Sequence, residues 1–261
     1  MSVKVAVKLP IQFDPAGLEA DLEQIASAEW LAHFNTTYFE GDWTGVALRA
    51  APGNLPTLYS DPAAREFADT AALRHCPRIA AALEMLRCSL KSVRLLKLTA
   101  GSYIREHRDD DLGWESGEIR LHVPIITDPG VEFFLNGQRV VMREGECWYL
   151  DLSLPHRVQN RSSVDRIHLV IDCLLNDWLR ALINAGEEMA ATPGAESEFE
   201  QFRRMVLSDP ALQGELMQAT DRNEFTSVAL RLGEQLGAPF TPGDLDAALQ
   251  AARRAWREQA T

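Results

Sequence analysis

The residues able to do chemistry are few, and their order is informative. His107-Arg108-Asp109 sets an imidazole and a carboxylate two apart, His156 adds a second imidazole far along the chain, and Arg166 follows ten residues later. Two imidazoles and one carboxylate are the ligand types of the 2-His-1-carboxylate facial triad, which leaves coordination positions on a non-haem Fe(II) open. Residues i and i+2 of a strand point to the same side, so one metal could be reached by both His107 and Asp109. Asp110 and Asp111 compete locally. The same-face argument favours Asp109 and leaves Asp111 behind the site or facing solvent.

Arg166 opens the run Arg166-Ile167-His168-Leu169-Val170-Ile171, whose other members are mostly apolar. A guanidinium drawn into such a strand wants a carboxylate, and its planar fork fits one bidentately. Asp165 and Asp172 are the acids within reach along the chain, and an anionic cosubstrate would serve equally. Arg120 and His122 are also two apart on an expected strand. If their shared face is interior, they add positive charge and donors beside the metal; the alternative is a polar pair on a solvent face.

The elements around these residues are mostly short strands. Residues 3–13 alternate Val3, Val5, Val7, Leu9, Ile11 and Phe13, and Asp14-Pro15 then predicts a helix start, with Leu18, Leu22 and Ile25 on one face. A polar and aromatic cluster follows: His33, Asn35, Tyr38, Glu40, Asp42 and Trp43. Strands are expected over 45–49, 91–98 and 103–107, with helices over 62–74 and 77–88. From Ile119 the strands come quickly, over 120–125, 131–135, 138–142, 147–150, 154–158 and 166–173, and Asn136-Gly137 is a hairpin signal. The pattern predicts a mainly β fold with flanking helices, a double-sheet jelly roll of the cupin kind. A helix through Trp178, Leu179 and Ile183 leads to Ala190-Ala191-Thr192-Pro193-Gly194-Ala195, which reads as a linker. A small all-α unit follows: helices start at Glu198, after Asp209, at Asp221 or Asn223, and at Thr241-Pro242-Gly243-Asp244. The expected division is 1–178, a linker region over 179–197, and 198–261.

Composition excludes other classes. A net charge of -12 disfavours a general grip on nucleic-acid phosphates, and no run of apolar residues is long enough to span a membrane. Scattered Cys76, Cys88, Cys147 and Cys173, with no leader-like start, predict reduced thiols and a cytoplasmic protein.

Several stretches resemble the aspartyl/asparaginyl β-hydroxylase family: Leu98 to Asp109, Ile119 to Ile125, Gly145 to Asp151, and Leu154-Pro155-His156 through Arg166-Ile167-His168, and Leu9–Asp14, His33–Asn35 and Gly41–Arg49 also resemble its bacterial members. The resemblance covers about residues 5–178. It implies a double-stranded β-helix using Fe(II), 2-oxoglutarate and O2, with His107 and His156 as iron ligands and Arg120, His122 and Arg166 as cosubstrate residues. Asp109 makes the chain similar to bacterial members, including proline hydroxylases, that keep the full triad. The family's serine contact upstream of the first histidine is not evident, since Leu95, Leu96 and Leu98 occupy that strand with Lys97. The implied reaction hydroxylates a carbon of an amino acid, free or as an Asp/Asn-type residue in a peptide, while 2-oxoglutarate goes to succinate. Residues 198–261 resemble a Nif11-type helical domain, which could bind a peptide substrate or a partner. The other readings are a cupin-like metal enzyme without 2-oxoglutarate and a non-catalytic peptide-binding or sensor protein.

Overall fold

The computed structural model describes residues 4–26, 29–33, 36–52, 58, 64–109, 112–189, 198–240, 242 and 245. The strands are β1 (Ala6–Gln12), β2 (Leu31–Ala32), β3 (Phe39–Glu40), β4 (Trp43–Ala50), β5 (Ala68–Asp69), β6 (Leu90–Leu98), β7 (Tyr103–His107), β8 (Glu118–Ile126), β9 (Val131–Leu135), β10 (Gln138–Val140), β11 (Glu146–Leu150), β12 (His156–Asn160), β13 (Arg166–Leu174) and β14 (Glu187–Glu188). The helices are α1 (Pro15–Leu22), α2 (Pro77–Glu84), α3 (Asp177–Ala185), α4 (Glu198–Ser208), α5 (Pro210–Met217) and α6 (Arg222–Gln235). Among the described residues, one sheet runs β14-β1-β11-β8-β13-β6-β4-β2, with β5 beside β4, and a second runs β10-β9-β12-β7-β3. This mainly antiparallel double-sheet architecture with flanking helices is the jelly roll that the strand pattern predicts.

Period-two alternation sorts the large sheet into two faces. Ile167, Leu169, Ile171 and Cys173 of β13, Ile119, Leu121 and Val123 of β8, and Val93 and Leu95 of β6 pack with Leu18, Ile79, Leu83, Leu179 and Ile183 under α1, α2 and α3. The opposite faces supply Leu96, Leu98, Leu150 and Val170 to a second core shared with Ile104, Phe133, Leu135 and Val158 of the small sheet. Strand β13 therefore lies between a helix layer and a sheet, and its residues 166–173 are all buried. Burial on both faces explains why its sequence does not alternate cleanly in polarity.

Two turns show their chemistry. Asn136 and Gly137 take positive φ, 50° and 76°, as a two-residue hairpin of that sequence requires, and they join β9 to β10. Gly145 also has a positive φ, 76°, and a Cβ there would run into the Phe13 carbonyl oxygen. Gly145 O accepts from Phe13 N at 2.8 Å, so this contact fixes the entry to α1. The Gly145→Ala variant is expected to lose about 1–3 kcal/mol of stability, measured by urea unfolding. Wild-type stability would show that the turn relaxes without cost.

One helix expectation fails. Within 62–74 the described residues form β5 and a short 3-10 turn, Ala72–His75, and no α-helix. Arg49 donates to Phe67 O at 2.7 Å and pairs with Asp69 at 2.5 Å, while Thr70 Oγ1 donates to Ala47 O at 2.7 Å. These contacts pin the segment to the edge of β4 and outweigh the helix propensity of its alanines. Beyond β14, the helices α4, α5 and α6 enclose their own cluster of Phe202, Leu216, Ala229, Leu232 and Ala238. Asp221 is the cap of α6, accepting from Glu224 N at 2.9 Å. The linker expected at 190–195 and the helix start at 241–244 lie largely outside the described residues. Among the described residues no helix is long and apolar enough to cross a membrane.

Candidate metal centre

The site lies between the two sheets, where β7 and β12 pair. His107 stands directly opposite His156, and Ile104 opposite Val158. Two residues of β12 thus match three of β7, an irregularity that inserts one extra residue between Ile104 and His107. Without it, strict alternation would place those two side chains on opposite faces. With it, both face the interior, and the two imidazoles come to 4.2 Å between ring centroids. Asp109 lies just past the end of β7, held by its N–H to Leu152 O at 2.9 Å. Ligand atoms of His107, Asp109 and His156 all fall within 4.8 Å of one another. Asp110 and Asp111 lie outside the described residues.

Both rings are oriented by backbone carbonyls. His107 Nδ1 lies 2.8 Å from Arg105 O, and His156 Nδ1 lies 3.0 Å from Leu154 O. A carbonyl only accepts, so each Nδ1 carries the proton and each Nε2 offers its lone pair. Burial, and then the neighbouring His107, pushes the His156 pKa down to about 3, which keeps this imidazole neutral. Phe133 lies parallel to the His156 ring at 6.2 Å, and Tyr38 stacks on His107 at 5.2 Å. Burial works against the Asp109 carboxylate, but the Arg120 guanidinium and the two imidazoles hold its pKa below the usual range. Two carbonyl-oriented imidazoles with an ionised carboxylate are a donor set that fits a divalent first-row cation.

Arg120 and His122 do share the interior face of β8. Arg120 pairs with Asp109 and, through Nε, with Asp172 at 2.6 Å. Asp172 also pairs with the buried Arg94 of β6. These two cations and two anions balance one another. Among the described residues Arg166 has no such match: it is 2% exposed, its Nη2 lies 2.8 Å from His168 Nδ1, and its Nε has no partner. Asp165 turns away to accept from Ala100 N at 3.3 Å, and Asp172 belongs to the other arginines. Burial lowers the Arg166 pKa to about 9, so the group is still charged at neutral pH.

Among the described residues, His122 is buried with neither ring nitrogen bonded, and His168 Nε2 is likewise unpartnered. Burial first, then Arg166, lowers both pKa values well below the ordinary imidazole range. Among the described residues, the Arg166 guanidinium and one ring N–H each of His122 and His168 are buried donors short of acceptors, and such a cradle suits an anion with several acceptor oxygens. A dicarboxylate such as 2-oxoglutarate meets that description.

Sequence reasoning overlooked His168 and Arg94. His168 was findable, because it sits two residues from Arg166 and must share its face. Arg94 lies on the strand read as carrying leucines and a lysine, and no local pattern marks it as interior. In the aromatic cluster, His33 stacks on Trp43 at 3.5 Å between centroids, and burial followed by Arg94 and Arg120 lowers its pKa to about 4. Arg49 is engaged at the β4–β5 edge, and Asn35 lies outside the described residues.

Comparison with known proteins follows the same direction. An L-proline cis-4-hydroxylase of Rhizobium meliloti (strain 1021) is 28% identical over 171 residues, covering 62% of this chain and 58% of that protein. The chain therefore spans under two thirds of that curated relative's length. A prolyl-4-hydroxylase structure from Pseudomonas putida aligns over 66% of this chain and 94% of its own at 14% identity, with a TM-score of 0.43. An oxidoreductase of the 2OG-Fe(II) oxygenase family from Burkholderia pseudomallei aligns over 61% and 78% at 12% identity, also with a TM-score of 0.43. The family model described as aspartyl/asparaginyl beta-hydroxylase matches residues 16–175, more than half of the 261. With that span matched, the chain belongs to the aspartyl/asparaginyl β-hydroxylase family of enzymes.

Proposed function

We propose that this protein is an Fe(II)- and 2-oxoglutarate-dependent dioxygenase that hydroxylates a carbon of an amino acid, free or as an Asp/Asn-type residue in a peptide. The observation that carries the reading is Arg166, a fully buried cation without a carboxylate partner among the described residues, placed between the same two sheets as an oriented His/Asp/His cluster. His107, Asp109 and His156 would hold the metal, and Arg166 with His122 would hold the cosubstrate. Fe(II) and 2-oxoglutarate together would supply the activation of O2 and the oxidising power, with succinate and carbon dioxide as coproducts. The protein's own part is to orient, charge-match and exclude water.

Each residue's contribution follows from its contacts. Carbonyl-bound Nδ1 atoms keep His107 and His156 in the metal-binding tautomer. Arg166 supplies a charge-assisted fork for a carboxylate, and burial makes that attraction strong because little water competes. His122 adds a ring nitrogen on the same inner face. Arg120, whose guanidinium is spent on Asp109 and Asp172, contributes field to the cosubstrate and contacts to the metal carboxylate. The relative named for L-proline cis-4-hydroxylation makes proline the first free amino acid to assay. Residues 198–261 are, in this reading, a separate helical unit that engages a peptide substrate or partner, joined through 179–197 to a catalytic unit of 1–178.

An anaerobic titration of apo protein with Fe(II) and then 2-oxoglutarate tests this directly, through the visible charge-transfer absorption of their chelate. Wild type should develop the band, and Asp109→Ala should lose most iron binding and turnover. Iron demonstrably bound with no band on adding 2-oxoglutarate would overturn the cosubstrate assignment and favour a cupin-like enzyme of another reaction class.

A further inference from the structure

Asp172 touches none of the three candidate metal ligands, yet the carboxylate among them depends on it. Its Oδ1 accepts from Arg120 Nε at 2.6 Å, and its Oδ2 accepts from Arg120 Nη2 at 3.1 Å and from Arg94 Nη2. Arg120 turns its remaining nitrogen, Nη1, to Asp109 Oδ2. Arg94 Nη1 is tied in turn to Leu58 O at 2.9 Å. Sheet register builds this arrangement. Asp172 of β13 lies directly opposite Arg120 of β8, and Arg94 of β6 lies opposite Val170, one diagonal step from Asp172. The acid is fully buried, so no water competes for its oxygens.

The consequence for Asp109 is an asymmetry between its two oxygens. Oδ2 is taken by Arg120, while Oδ1 lies 3.9 Å from His107 Nε2, on the side where the imidazole lone pairs converge. We propose that Asp172 is a positioning residue that, by locking Arg120 in a fork, makes Asp109 offer a single oxygen to the metal and leaves the remaining coordination positions free. The proposal rests on reading His107, Asp109 and His156 as metal ligands. Arg120 alone is a long side chain with several rotamers. With both Nε and Nη2 engaged by Asp172, its Nη1 has one direction left. Arg94 supplies the second positive charge that lets Asp172 stay ionised while buried, so the group works as a unit.

Apo protein titrated anaerobically with Co(II), in wild type, Asp172→Asn and Arg120→Lys, tests the idea without turnover. Visible absorption reports both affinity and coordination, and a thermal transition reports folding for each protein. Arg120→Lys preserves every charge of the cluster and removes only the fork, so it guards against a failure of Asp172→Asn to fold. Each folded variant is expected to bind Co(II) about 10- to 100-fold more weakly, with an altered band shape as Asp109 gains freedom. A folded variant with wild-type Co(II) affinity and spectrum would overturn the positioning role and leave Asp172 as a charge balancer. Wild-type protein that binds no Co(II) would instead overturn the metal assignment itself.

Discussion

Arg166→Met is expected to weaken 2-oxoglutarate binding by about 30-fold or more while leaving the apo protein as stable as wild type, or more so. The two halves have one cause. In the apo protein the guanidinium is buried, charged and short of partners, with only His168 Nδ1 bonded to it among the described residues. Replacing buried charges with apolar residues of similar volume is often neutral or stabilising. The variant leaves His168 Nδ1 without its donor, a loss of about 1 kcal/mol that offsets part of the gain. On the binding side, truncating one member of a buried charge-assisted pair costs about 2–5 kcal/mol, and each 1.4 kcal/mol is about tenfold. The measurements are the anaerobic 2-oxoglutarate titration with Fe(II) bound and the thermal midpoint of the apo protein. Weakened binding with a steady midpoint supports the assignment. A steep fall in the midpoint with unchanged 2-oxoglutarate affinity would show that Arg166 is a structural residue and that the anion sits elsewhere.

What the sequence disclosed follows from which interactions are local. The strands of the double sheet were legible because alternation and turn chemistry act over a few residues, as at Asn136-Gly137. His107, Asp109 and His156 were legible as residue types, and the structure brings them together, but by a route that strand periodicity does not contain. The extra residue between Ile104 and His107 sets the ligand's direction, and it is defined only by pairing with β12, about fifty residues downstream. The division of labour among the arginines was hidden for the same reason. Asp172 stands six residues from Arg166 on one strand, where every second side chain shares a face, so sequence spacing alone offers it as the partner of Arg166. It pairs with Arg120 and Arg94 because the neighbouring strands bring those two alongside it, which frees Arg166. The missed 62–74 segment shows the reverse: local propensity spoke for a helix, and the distant Arg49 overruled it.

The apo protein is expected to lose about 5 kcal/mol of stability between pH 7.5 and pH 5.5. Of the six histidines, His33, His122, His156 and His168 are buried, and burial is the leading cause of a lowered pKa in each. The values fall to about 4 for His33 and about 3 for His156, and well below the ordinary range for the other two. The unfolded chain takes up these protons near pH 6.5, whereas the folded chain refuses them until much lower pH. Their contribution is therefore fully present above about pH 6.5 and is lost as pH falls toward the folded values. One pH unit below 6.5 each such group has cost about 1.4 kcal/mol, so four together remove about 5 kcal/mol from a domain whose total stability is typically about 5–15. Asp109 and Asp172, held below the usual carboxylate range, add a loss of the same sign at still lower pH. Urea unfolding of apo protein at the two pH values measures this, and equal midpoints would refute the neutral, buried imidazole cluster. The same cluster explains why the penalty is tolerated. A metal needs the neutral ring of His156, and a dicarboxylate brings the acceptors that Arg166 and the unpartnered ring N–H groups of His122 and His168 lack, so ligands that bind only the folded form should restore stability at pH 5.5 by mass action.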